Sequence, residues 1–196
     1  MISDENDKVA RAALKLCLDA RQLDLRNSGG RKNQEKFCPG LLSLLYERQD
    51  VDGFARLLTL IYLQLDSDVT GVSDLSRNCL DETLSILGPE ALVKPLLQAI
   101  HNTSTNVAGL VGELCGITAE IDVESPIVRR YLLPEVSKLL IGCNFHPAPD
   151  QKPTEEQTAV ISFVRCLSNL VGSEVVFEAA RKEGVEQTFL IHIINS

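Results

Sequence analysis

Apolar residues recur along this chain at steps of three, four and seven, and the segments they form end at glycines or prolines. That spacing lays an apolar stripe along one side of a helix, and the stripe must be buried against another element. Between 7 and 25 the stripe is Val9, Ala12, Ala13, Leu16 and Leu23, and Gly29 and Gly30 interrupt it. Pro39 divides 31–48 into two short helices, because proline lacks an amide donor yet opens a helix readily. Residues 51–66 form the next helix. Ser73 then offers a cap for a helix that Gly88 and Pro89 end. In the segment 89–102, Pro95 predicts a kink or a late start. Residues 104–121 read as a helix, and 125–133 lead into 134–143. The run 142–157 carries Pro147, Pro149 and Pro153 and reads as a loop inserted within a single domain covering 1–196. Thr154 and Gln157 have capping-box spacing ahead of a broad apolar face of Val160, Phe163, Val164, Leu167, Leu170 and Val171, which Gly172 closes. Two more helices, 173–183 and 185–194, meet at Gly184.

Strand signals are scarce. Aromatic residues make up only 5% of the chain, and no Asn-Gly turn sits between alternating runs. The fold class expected is therefore all-α. Of 196 residues, 44% are hydrophobic and 23% charged, enough to bury a core and too apolar for a disordered chain. The formal charge of −8 disfavours nucleic acid and anionic membranes as partners. The basic run of Arg26, Arg31, Lys32 and Lys36 reads as a solvated loop. Six cysteines at wide spacings, with no CxxC pair, read as reduced, mostly buried thiols. The start "MISDENDKVARA" has no apolar signal core, and no run is long enough to span a membrane. A cytoplasmic or nuclear setting is expected.

The pattern also repeats at long range. The pairs Leu44-Leu45, Leu96-Leu97, Leu139-Leu140 and Phe189-Leu190 recur at intervals of 52, 43 and 50 residues. Each follows a glycine or proline break. Residues 153–194 resemble one armadillo repeat with its helices in the order three, one, two. "FVRCLSNLV" is similar to the family's Ala-Leu-Trp-Ala-Leu-Ser-Asn-Ile-Ala signature, with Leu167, Ser168, Asn169 and Leu170 matching directly. The resemblance implies a right-handed α-solenoid of about three full repeats with partial repeats at both ends. It also implies a concave groove in which asparagines hold an extended peptide. Asn169 stands at that asparagine position and Arg165 at the position of the groove tryptophan. Glu113 aligns with Asn169 in the preceding repeat, and earlier repeats show no asparagine there.

These residues make Asn169, Arg165 and Glu113 the candidate partner-binding set. Arg165 and Asn169 are four apart and share one helix face. An asparagine amide both donates and accepts, and an arginine can pair with a partner's carboxylate. Leu190, Ile191 and Ile194 lie in an apolar last helix and form a candidate edge for a homodimer or for continuation of a solenoid. No catalytic residue, metal or cofactor is expected. His101, His146 and His192 are scattered, and there is no P-loop, GxSxG elbow or GxGxxG after a strand. The three glycines of "AGLVGELCG" read as sites of close helix packing. The function expected is an adaptor or scaffold binding another protein, with a basic segment favoured by the acidic charge. Two alternatives stand beside it: an exchange factor or chaperone for a small GTPase, and a self-assembling module of a cytoskeletal or centrosomal complex.

Overall fold

The apolar stripes become helices wherever the chain is described, but the first of them does not turn inward: Val9, Ala12, Ala13 and Leu16 are exposed, and the helix buries Leu14 and Cys17 instead. The computed structural model describes residues 2–17, 40–104, 106–143, 152–185, 190, 191 and 193. Among these residues every regular element is helical, and no helix is long and apolar enough to cross a membrane. The helices are α1 (Ile2–Cys17), α2 (Leu41–Glu47), α3 (Val51–Tyr62), α4 (Val72–Leu87), α5 (Glu90–Asn102), α6 (Val107–Glu120), α7 (Leu133–Gly142), α8 (Glu155–Val171) and α9 (Ser173–Lys182). Residues 190, 191 and 193 are helical as well. Several expectations lie outside the described residues: the end of the first stripe with Gly29 and Gly30, the basic run, the helix before Pro39, the prolines at 147 and 149, His146, Phe189, His192 and Ile194.

Contacts group the chain into two units, Met1–Pro95 and Leu96–Ser196, and the division falls inside α5. In the first unit α1 packs on α4 and α2, and α3 packs on α2 and α4. Its core holds Leu14, Phe54, Leu58, Ile61, Tyr62, Val72 and Leu80. Asp50 caps α3 by accepting from the Gly53 amide at 2.9 Å. The expected cap at Ser73 is not formed. Gly71 takes a left-handed φ of 80°, which only glycine adopts without strain, so α4 already begins at Val72. The Ser73 hydroxyl instead donates to the Leu65 carbonyl at 2.6 Å. Pro95 does not delay α5, which starts at Glu90. The Pro95 carbonyl accepts from the Thr59 hydroxyl at 3.2 Å.

In the second unit the most extensive packing is between α6 and α8, with α7 and α9 against α8 and against each other. The capping box forms as its spacing implies. The Gln157 amide donates to Thr154 Oγ1 at 3.2 Å, and the Thr154 amide to Gln157 Oε1 at 2.9 Å. Gly172 ends α8 at a φ of 89°, its amide donating to the Ser168 carbonyl. Leu96, Leu97, Leu139 and Leu140 of the recurring pairs are buried, as is Leu190. Residues 126–142 are helical without interruption, including a π-helical stretch at Val128–Leu132, where the Leu133 amide reaches the Val128 carbonyl. The wider π turn lies just ahead of Pro134, whose ring has no amide to donate and needs space against the preceding turn.

Candidate functional site

α6 and α8 run in the same direction. Near their starts, Ala108 and Gly109 of α6 line an open cavity of about 410 Å³ with Glu155, Thr158, Ala159 and Ser162 of α8. Two turns further along, Cys115 reaches the Ser162 carbonyl and its own carbonyl receives the Cys166 thiol. Parallel neighbours in one chain need a return path between them, which the helix 126–142 supplies. The buried faces of the two helices are Leu110, Val111, Leu114, Ile117 and Thr118 on α6 and Val160, Phe163, Val164, Leu167 and Ser168 on α8. Each of these fully buried leucine or phenylalanine side chains contributes roughly 2–3 kcal/mol of transfer free energy.

Asn169 is exposed near the end of α8. Arg165, one turn earlier, is half-buried, and its Nε–H donates to the Ile193 carbonyl at 2.8 Å. The guanidinium therefore ties α8 to the helical residues beyond 190. Glu113 is half-buried on α6. Gly112 and Gly116 of α6 are both exposed, and a methyl group added at either would meet open space. The expected close helix packing at these two glycines is thus not what the fold uses them for. The packing face of α6 is Leu110, Val111, Leu114, Ile117 and Thr118, and the glycines fall on its other side. Gly109 differs, because an added methyl would collide with the Asn106 side chain that caps α6.

Of the apolar residues in the last helix, Leu190 and Ile193 turn inward and are 0% and 1% exposed. Ile191 is 40% exposed and is the described residue there that presents surface. Leu190 is core to this chain and is not available as an edge.

One polar cluster was not signalled by sequence spacing. Glu135 on α7 is buried, and its Oε1 lies 2.8 Å from Nε2 of His101, at the end of α5. Its Oε2 lies 3.3 Å from Nζ of Lys138. A buried carboxylate is costly without such partners. The side chains of His101 and Lys138 are 47% and 60% exposed, so they reach the buried carboxyl group from the protein's surface. The Glu135–Lys138 step of three was visible in the sequence, but nothing in it pointed to His101. The thiols divide by depth. Burial raises Cys17, and it pushes Cys79 up to about 12, with smaller contributions from Cys17 and Glu82. Cys115, Cys143 and Cys166 are half-buried, and Cys38 lies outside the described residues.

The chain matches no family model, no curated protein and no solved structure.

Proposed function

We propose that this chain is an armadillo-like α-solenoid that binds a segment of another protein along the strip formed by Gly112, Gly116, Arg165 and Asn169. One observation carries the reading: α6 and α8 pack on each other and run in the same direction, with Ala108 and Gly109 beside Thr158 and Ser162 and Cys115 beside Ser162 and Cys166. That is how consecutive third helices of a right-handed repeat stack would lie. Equivalent exposed positions then line up along one surface. At Gly112 and Gly116 no side chain stands between a ligand and the helix. An extended peptide can approach there and meet the Asn169 amide, which both donates to and accepts from a peptide backbone. Arg165, held by the Ile193 carbonyl, borders the strip as a fixed wall. The formal charge of −8 favours a basic segment, and Glu113 on α6 adds to it. The chain acts as an adaptor in this reading, without a cofactor or catalytic step of its own.

The test is affinity capture with the full chain, Asn169→Ala and Gly116→Gln, the latter placing a side chain in the strip. Loss of the Asn169 amide weakens capture of one specific partner roughly tenfold, as expected for one hydrogen bond to a peptide backbone. Gly116→Gln weakens it as well. Undiminished capture by both variants, with wild-type helicity by circular dichroism, would remove the strip as the binding surface.

A further inference from the structure

Two thiols meet where α6 and α8 pack. Cys166 Sγ lies 3.4 Å from the Cys115 carbonyl oxygen, and Cys115 Sγ lies 3.7 Å from the Ser162 carbonyl oxygen. Each sulfur therefore rests against the backbone of the other's helix. Both side chains are half-buried, so a small reagent can reach them. The first unit has a thiol pair of its own, Cys17 and Cys79, on α1 and α4. These are only 4% and 0% exposed, which shields them from solvent reagents.

We propose that Cys115 and Cys166 form a reversible dithiol site, oxidised to an intramolecular disulfide by exchange with small-molecule disulfides. In the first step Cys115 loses its proton to water, and its thiolate attacks one sulfur of the small disulfide. The small S–S bond breaks, one small thiolate leaves, and a mixed disulfide remains on Cys115. Cys166 then loses its proton to water, and its thiolate attacks Cys115 Sγ. The mixed disulfide breaks, the second small thiolate leaves, and both leaving groups take up protons. Two protein thiols are oxidised and one small disulfide is reduced to two thiols, so electrons and protons balance.

The order of the steps follows from the surroundings of Cys166. Burial first, then the neighbouring Cys115 thiol, push its thiol up to about 11, so Cys166 is a poor first nucleophile. Once Cys115 is a mixed disulfide it carries no negative charge, and the resolving thiolate of Cys166 forms more easily beside it. The close packing of α6 on α8 keeps the sulfurs together through both steps.

The full-length chain treated with glutathione disulfide should lose two hydrogens and retain no adduct. Peptide mapping should join the segments holding Cys115 and Cys166, leave Cys17 and Cys79 as thiols, and show the link reversed by dithiothreitol. Cys166→Ser should hold one glutathione on Cys115, and Cys115→Ser should leave Cys166 unmodified. The proposal is overturned if wild-type protein shows no reaction, if the link forms elsewhere, or if Cys166→Ser carries no adduct on Cys115. Mapping on the wild-type chain reads the site directly, so a variant that folds poorly does not decide the matter.

Discussion

At the scale of single residues, burial decides what each polar or reactive group does. Cys79 is 0% exposed and its thiol is pushed from an ordinary 9.0 to about 12, chiefly by burial. The folded chain therefore holds this proton more tightly than the unfolded chain. The stabilisation is fully present below pH 9 and is lost as pH rises from about 9 towards 12, where unfolded thiols ionise and the folded one does not. Urea midpoints measured across that range should fall with pH, and Cys79→Ala should flatten the decline while costing stability at pH 7. Glu135 is only 2% exposed, and His101 and Lys138 stand at its two oxygens, the partners that a buried carboxyl group needs.

At the scale of elements, helix ends are written locally and helix neighbours are not. Thr154 and Gln157 each satisfy the other's amide at the start of α8, and both lie within one turn. Thr154→Ala should lower stability by about 1 kcal/mol in urea denaturation, the usual cost of a lost cap. Gly116→Ala should raise it by about 0.5–1 kcal/mol, because the site is helical, exposed and empty around the added methyl. A fall in stability on Gly116→Ala would mean that the strip is covered. Ser73 marks the limit of local reading. Its residue type suits a cap, but the left-handed turn at Gly71 starts α4 early and leaves Ser73 to bond Leu65. Pro134 is a second case, where a helix that proline would interrupt continues through a π turn.

At the scale of the whole molecule, charge governs how partners arrive. With a formal charge of −8, attraction to a basic segment acts over the Debye length and fades as salt shortens it. Affinity for such a segment should drop by roughly tenfold between about 0.05 and about 0.5 M salt, read by isothermal titration or polarisation. Salt-independent binding would point to an apolar contact, for which Ile191 is an exposed candidate.

The chain's own pattern sufficed for the all-helical class, for the breaks at Gly88, Gly172 and Gly184 and for the capping box of α8, since each depends on residues within a turn or two. It also showed which faces of α8 are apolar, because 3.6-residue periodicity is a property of one helix alone. Tertiary structure decided everything that joins distant positions. It brought Cys115 to Cys166, His101 to Glu135 and Arg165 to the Ile193 carbonyl, and it turned Leu190 inward. Such pairings depend on how two helices slide and rotate against each other, and that register is chosen by the packed core they share.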